Sequence, residues 1–260
     1  EVYAGYMEYT DYHVGRIVDS LEKLKVLDDT LLYYIVGDNG ASAEGTLIGA
    51  YNEMANFNGL AALETPEFLM QRLDKLGGPE SYNHYAVGWA HAMNTPYQWT
   101  KQVASHWGGT RNATVVHWPK GIKAKGENRS QFAHVIDVAP TVLEAAGLPQ
   151  PEFVNGIQQD PIEGISMLYS FNNAKAPERH DVQYFEIMGN RGLYYKGWTA
   201  VTKHYTPWIN TPRPPFDADV WELYSDKDWS QAKDLAKEMP EKLHELQRQW
   251  LIEAARYKVL

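Results

Sequence analysis

The stretch Leu31-Leu32-Tyr33-Tyr34-Ile35-Val36-Gly37-Asp38-Asn39-Gly40 decides the fold class. Its first six residues form a continuous apolar run, which is typical of a strand buried on both faces of a parallel sheet. The polar turn sequence 37–40 ends this run abruptly. Because open α/β sheets bind ligands at the C-terminal ends of their strands, we expect a ligand site at this turn.

Helices and a second strand surround the decisive stretch. Apolar residues at helical spacing predict an amphipathic helix over 2–26, and the run 113–118 reads as a second buried strand. A helix is predicted over 138–146, with Asp137 as its N-cap and Gly147 just beyond its end. The alternation predicts an α/β fold with a mostly parallel sheet flanked by helices.

The segment 41–98 is irregular and carries one predicted helix near 65–76. A connection this long inside a compact domain is usually functional or an insertion. We expect it to shape the mouth of the ligand site.

The character of the chain changes after about residue 170. Strands of a small antiparallel sheet are predicted at 182–187, 192–203 and 219–224, and Pro240 is expected to open a final helix. We therefore divide the chain into an α/β part, 1–170, and a small C-terminal α+β subdomain, 171–260.

Composition excludes several classes of function. The formal net charge of −9 argues against a nucleic-acid partner, and no apolar run approaches the length of a membrane span. The chain has no cysteine, which excludes disulfides and thiolate metal sites. Its nine histidines form no recognisable metal motif, and no Gly-x-Ser-x-Gly supports a serine hydrolase.

Asp38 and Asn39 are the first candidate site residues. A carboxylate beside an amide carbonyl offers two hard oxygen ligands, which suit Ca²⁺ or Mg²⁺ better than a transition metal. The alternative interpretation is a plain turn, since Asp-Asn-Gly is a favourable turn sequence.

The segment 101–111 is the second candidate. It carries Lys101, His106 and Arg111 as potential cations, and its Gly-Gly pair would let the backbone approach a ligand closely. Such a segment could hold an anionic substrate. The alternative interpretation is a surface loop with ordinary charges.

These segments and several others occur in the order found in the type I sulfatases, and the chain resembles that family, close to the bacterial arylsulfatases. The segments that carry the resemblance are Tyr12–Val18, Leu27–Thr30, Asp38–Gly40, Lys101–Arg111, Val115–Pro119, His134–Thr141, Gly164–Ser166, Glu222–Asp226 and Asp234–Leu235. Each motif is weak alone, but their shared order covers nearly the whole chain.

The resemblance implies an alkaline-phosphatase-like α/β fold and a sulfate ester as the small-molecule substrate. It implies that Asp38 and Asn39 are two ligands of one Ca²⁺, with Mg²⁺ as the alternative ion, and that Lys101 contacts the sulfate oxygens. Six residues separate Lys101 from Gly108, one more than is usual in the family. His106 is therefore expected as a second catalytic neighbour of Lys101.

Part of the family pattern is missing from these residues. The Cys/Ser-x-Pro-x-Arg motif, whose Cys or Ser becomes the formylglycine nucleophile, does not occur, nor do the earlier paired Asp ligands and the Lys-x-His segment. The chain begins at Glu1 within a predicted helix. We therefore expect the C-terminal part of a longer protein, inactive alone.

Two other functions stay open at this point. One is a phosphodiesterase or phosphonate monoester hydrolase of the same superfamily, because fold does not decide substrate. Asn39 disfavours this phosphoesterase function, since relatives that use transition metals tend to place His after the Asp. The other is a catalytically inert structural or binding fragment. The sequence leaves the oligomeric state undetermined.

Overall fold

A computed structural model describes residues 1–37, 39–209 and 211–259 of the chain. They form two compact units. Unit 1 comprises Glu1–Val14, Ile35–Ala113 and Tyr184–Leu260, and unit 2 comprises Gly15–Tyr34 and Thr114–Gln183. The predicted domain boundary near residue 170 stays a prediction.

Helices of widely different length occur along the chain. The α-helices are α1 (Val2–Lys23), α2 (Glu53–Phe57), α3 (Pro66–Met70), α4 (Val87–Asn94), α5 (Trp107–Thr110), α6 (Val138–Ala146), α7 (Leu168–Phe171) and α8 (Pro240–Arg256). Short 3-10 helices lie at Leu27–Asp29, Ala61–Leu63, Leu73–Lys75, Val135–Asp137 and Phe216–Ala218.

The strands form three sheets. They are β1 (Leu32–Val36), β2 (Ala113–His117), β3 (Phe153–Val154), β4 (Ile157–Gln158), β5 (Val182–Ile187), β6 (Asn190–Tyr195), β7 (Trp198–Thr202) and β8 (Glu222–Ser225). Strand β1 pairs with β2, β3 pairs with β4, and the last four strands lie in the order β5-β6-β7-β8. The pairs β6–β7 and β7–β8 are antiparallel, as is β3–β4.

Several predicted elements are confirmed. The helix predicted over 138–146 is α6, and Gly147 follows it in the left-handed region at φ 67°. The helix predicted from residue 2 is α1, and α8 begins at Pro240. The mixture of helices with an antiparallel C-terminal sheet is also confirmed, whereas a parallel central sheet stays a prediction.

Four local expectations were wrong. Strands β1 and β2 were expected to be buried, but β1 is half-buried and β2 is mostly exposed; among the described residues they form a two-stranded sheet, too small to bury both faces of its strands. The strand predicted over 192–203 is the hairpin β6–β7, which turns at Lys196 (φ 48°) and Gly197 (φ 80°). The helix predicted near 65–76 is broken into α3 and a 3-10 turn.

The fourth correction concerns the side chain of Asp137: the residue occupies the predicted N-cap position of α6, but its side chain does not cap that helix. A 3-10 turn precedes the helix, and His134 caps that turn. The Asp137 carboxylate reaches back to accept the His134 backbone N–H at 2.8 Å, completing a capping box. Sequence alone could not separate this turn from the helix that follows it.

The core of unit 1 is built on the C-terminal sheet. Helix α8 packs against β6 and β7, and its residues Leu246, Trp250 and Ala254 are buried. The sheet itself contributes further buried apolar residues, among them Leu193 and Leu223. Packing of α8 on one face thus stabilises the C-terminal sheet.

No described helix has the length and apolar character needed to cross a bilayer.

The segment 98–107 also packs against the C-terminal region of unit 1. The Asn190 amide donates to the Gln102 carbonyl at 3.0 Å, and the Trp107 backbone N–H donates to the Gln231 side chain at 2.9 Å. A Cβ on Gly192 would lie 2.9 Å from the Ser105 carbonyl oxygen, so the strand and this segment are in close contact. The C-terminal sheet therefore positions the segment that contains Lys101.

Unit 2 centres on the carboxylate of Asp137, which is 1% exposed. It accepts hydrogen bonds from the backbone N–H of Ile165 at 2.8 Å and from the His180 ring at 2.8 Å. Burial lowers the pKa of His180, but the hydrogen bond and the charge of Asp137 outweigh it and raise the pKa. A charged His180 therefore stabilises this unit.

We predict that His180→Gln destabilises the protein more at about pH 6 than at about pH 9. Since the folded pKa of His180 is raised, its stabilisation is fully present below the unfolded pKa and is lost as the pH rises through the folded pKa. The measurement is the Tm of wild type and variant at both pH values. His117→Gln, at an exposed position of the same unit, is the control. An equal Tm difference at both pH values would contradict the conclusion that charged His180 stabilises the protein.

Candidate active site

The turn after β1 and the segment of Lys101 lie side by side in unit 1. Asp38 lies outside the described residues, and Asn39 is exposed. Gly37 and Gly40 flank them at φ 69° and 82°, which is the left-handed region that favours glycine. The Lys101 backbone N–H donates to the carbonyl oxygen of Ala41 at 3.1 Å. The two predicted site segments are therefore joined directly by their backbones.

Backbone approaches at Gly40 and Gly108 leave no room for side chains. A Cβ on Gly40 would lie 1.9 Å from the Gly108 carbonyl oxygen. A Cβ on Gly108 would lie 2.1 Å from the carbonyl oxygens of both Gln98 and Trp99. The Gly-Gly pair was expected to let a ligand approach the backbone, but in the structure both glycines are buried and are used for contacts within the chain.

The side chain of Asn94 forms hydrogen bonds with three backbone positions, at Ala41, Trp99 and Gly108. Its side-chain oxygen accepts the Ala41 N–H at 3.0 Å, and its amide nitrogen donates to the carbonyls of Trp99 at 3.0 Å and Gly108 at 2.8 Å. Sequence reasoning missed this residue, because the segment 41–98 was interpreted as irregular with one helix near 65–76, and α4, which ends at Asn94, was not predicted.

The ammonium of Lys101 is paired with a carboxylate. Its Nζ lies 2.9 Å from Glu44 Oε2, and the two side chains are 30% and 18% exposed. Because both side chains keep some exposure, the pair can be reached from solvent. Glu44 comes from the irregular segment after the turn, which the sequence analysis assigned only to the mouth of the site.

A hydrogen-bond network surrounds Glu44. The Ser42 hydroxyl donates to Oε2 at 2.7 Å, and the Gln102 amide donates to Oε1 at 3.2 Å. Nε2 of His84 lies 2.8 Å from the Ser42 hydroxyl. Burial raises the pKa of Glu44, but the bonds from Ser42 and Lys101 and the ammonium charge outweigh it and lower the pKa. Glu44 is therefore held as a carboxylate.

His106 lies in a different environment from Lys101. It is fully buried, with Nδ1 2.9 Å from the Ser105 hydroxyl and Nε2 3.2 Å from Glu222. Burial raises the pKa of Glu222, but hydrogen bonds from His106 and Tyr224 outweigh it and lower the pKa. Burial and the bond to Glu222 raise the pKa of the Tyr224 phenol far above its ordinary value. The predicted catalytic role of His106 stays a prediction.

The residue types at the turn fit Ca²⁺ in chemistry. Asn39 carries a hard amide oxygen and is exposed. Within the described residues, no group of three or more His, Asp or Glu side chains could hold a metal ion. Since Ca²⁺ takes six to eight oxygens, Asp38 and Asn39 would need ligands from elsewhere.

Comparison with known proteins adds to this geometry. The family model described as Sulfatase matches residues 1–148. An uncharacterized sulfatase of Schizosaccharomyces pombe is 28% identical over 97% of this chain and 42% of its own length. The arylsulfatase of Klebsiella aerogenes is 28% identical over 73% of this chain and 37% of its own length. Human steryl-sulfatase is 28% identical over 58% of this chain and 19% of its own length.

The fold is also found in solved structures. A sulfatase chain from work on glycosaminoglycan metabolism by Bacteroides thetaiotaomicron matches with a TM-score of 0.58 at 18% identity, over 95% of this chain and 43% of that one. This likeness concerns the fold alone. The chain spans less than half the length of the proteins that it matches.

We predict that Gly108→Ala destabilises the protein by about 1–3 kcal/mol, the usual cost of overpacking. The new methyl group would meet two carbonyl oxygens at 2.1 Å. Gly88→Ala is the matched control, because a Cβ there meets nothing within 4 Å and lies in α4. Denaturant unfolding of both variants gives the free energies, and equal effects would contradict the packing analysis.

We predict that His106→Gln lowers the free energy of unfolding by about 1–3 kcal/mol, since it disturbs a buried hydrogen-bond network. If His106 acts in catalysis, as the sequence predicts, kcat in the complete enzyme should fall as well. Unfolding curves and steady-state kinetics on the same samples separate the two roles. A normal kcat with reduced stability would show that His106 serves only the fold.

Proposed function

Because the chain belongs to the sulfatase family, we propose that it forms the C-terminal part of an enzyme that hydrolyses sulfate esters of the arylsulfatase type. The observation that carries the proposal is the half-buried Lys101 ammonium beside the turn that contains Asn39. The names of two relatives, an arylsulfatase and a steryl-sulfatase, support a sulfate ester as the substrate class.

Lys101 is proposed to bind the sulfate oxygens. An ammonium carries three hydrogen-bond donors, and one of them is directed to Glu44. Its remaining donors suit the oxygens of a sulfate group, where a positioned cation stabilises negative charge that develops during transfer. The half-buried setting strengthens this interaction relative to bulk water.

Asp38 and Asn39 are proposed as two ligands of a single Ca²⁺, with Mg²⁺ as the alternative ion. Both supply hard oxygen atoms, which suit these cations. When bound, the cation would offset charge on the transferring group and act as a Lewis acid. Asn39 precedes Ala41 by two residues, and the Ala41 carbonyl accepts the Lys101 backbone N–H, which supports a shared site.

The nucleophile is proposed to come from outside these 260 residues. The family resemblance implies formylglycine, and the chain contains neither a cysteine nor a Ser-x-Pro-x-Arg sequence from which it could form. We propose that these residues alone hydrolyse no sulfate ester, and that catalysis requires the complete protein.

We predict that Lys101→Ala in the complete enzyme lowers kcat/KM roughly 100- to 1,000-fold, the scale of losing one preorganised charge donor. The measurement is the release of nitrophenol from its sulfate ester with Ca²⁺ present. Lys75→Ala is the matched control, because Lys75 forms an exposed ion pair of 2.8 Å with Glu80.

Two outcomes would contradict the proposal. A Lys101→Ala enzyme with unchanged kcat/KM would remove Lys101 from the site. A complete wild-type enzyme that cleaves the phosphate ester or diester of nitrophenol faster than the sulfate would favour the phosphoesterase alternative. The 260 residues alone serve as the blank and should release no nitrophenol.

A further inference from the structure

We infer that Glu44 is a positioning residue of the reaction, acting through Lys101. Its carboxylate fixes the ammonium in one place and leaves the remaining donors of that ammonium for an anionic substrate. The inference rests on the proposed function, because it assigns to Glu44 a role that matters only if Lys101 binds the substrate.

The carboxylate of Glu44 makes contacts on both oxygens. Oε2 accepts from Lys101 at 2.9 Å and from Ser42 at 2.7 Å, and Oε1 accepts from Gln102 at 3.2 Å. Three different donors thus fix its position and orientation. A lysine has a flexible four-carbon stem, so a fixed partner is needed to hold its ammonium at one point.

The backbone that carries Glu44 is anchored independently of Lys101. Its carbonyl oxygen accepts the Asn56 amide at 3.0 Å. A Cβ on the next residue, Gly45, would lie 2.0 Å from the Tyr85 carbonyl oxygen, so the two segments are in close contact. His84 in that second segment lies 2.8 Å from the Ser42 hydroxyl. Glu44 is therefore a fixed partner for Lys101.

The residue that follows Lys101 has a backbone conformation that residues with side chains rarely adopt. Gln102 has φ 73°, in the left-handed region, although it is not a glycine. Its side chain is bound by Glu44 and its carbonyl oxygen by Asn190 at 3.0 Å. Strained residues of this kind persist where surrounding contacts impose them, and they concentrate at functional sites. Glu44 thus holds the Lys101–Gln102 turn through both side chains.

The charge of Glu44 also affects the anion. A carboxylate beside the ammonium reduces the net positive charge that a sulfate group meets, so binding relies on directed hydrogen bonds more than on charge alone. Correct geometry is required most in the transition state. Loss of Glu44 should therefore act mainly on kcat and much less on KM.

The test is a double-mutant cycle in the complete enzyme, with nitrophenyl sulfate as the probe. Glu44→Ala should lower kcat roughly 10- to 100-fold, a scale seen when a reacting group is misplaced by small distances. In the Lys101→Ala background the same change should have almost no further effect, because the residue through which it acts is gone. Glu44→Gln keeps the size and an acceptor oxygen, and should recover part of kcat.

The exposed pair of Lys75 and Glu80 gives the control cycle, in which Glu80→Ala should leave kcat unchanged in either background. Equal kcat losses from Glu44→Ala with and without Lys101 would overturn the inference and indicate a structural role. An unchanged kcat in Glu44→Ala, with a loss in Lys101→Ala, would overturn the inference alone. Unchanged kcat/KM in Lys101→Ala would overturn the proposed function and the inference together. If Glu44→Ala fails to fold, Glu44→Gln takes its place in the cycle; its kcat loss should be smaller and should again disappear in the Lys101→Ala background, and an equal loss in both backgrounds would overturn the inference.

Discussion

Close backbone contact between Gly40 and Gly108 is the constraint on which the candidate site depends. A side chain at Gly40 would meet the Gly108 carbonyl oxygen at 1.9 Å, so neither the turn nor the 98–109 segment could keep its path. Asn94 then satisfies the carbonyl of Gly108 and the N–H of Ala41 at this junction. The Lys101 backbone N–H also donates to the Ala41 carbonyl, so the turn that contains Asn39 and the backbone of Lys101 are held together.

Charge is arranged locally around this junction in a protein with a net charge of −9. The Glu44–Lys101 pair keeps partial exposure, whereas the His106–Glu222 pair has a fully buried ring. The two pairs therefore lie in different environments, one partly open to solvent and one with a ring closed off from it. An overall acidic charge is compatible with an anion site, because only the nearest cations determine binding.

The family match and the packing extend over different parts of the chain. The Sulfatase model covers residues 1–148, whereas the β5–β8 sheet lies beyond it. Asn190 and Gln231, from this later region, bind the carbonyl of Gln102 and the N–H of Trp107. Residues of the C-terminal region therefore support the site segment, and the match to the sulfatase relative of Schizosaccharomyces pombe extends over this region as well, covering 97% of the chain.

The sequence by itself determined the local elements and the family. Helical periodicity and a proline predicted α1, α6 and α8, because these signals come from neighbouring residues. The ordered motifs identified the turn at Asn39 and the segment of Lys101. Only the tertiary structure decided which side chains meet Lys101. Glu44 lies 57 residues away in an irregular segment, and sequence periodicity does not predict a contact between residues so far apart. The tertiary structure likewise decided that the Gly-Gly pair packs against backbone, because a glycine's neighbours depend on how distant segments approach in space.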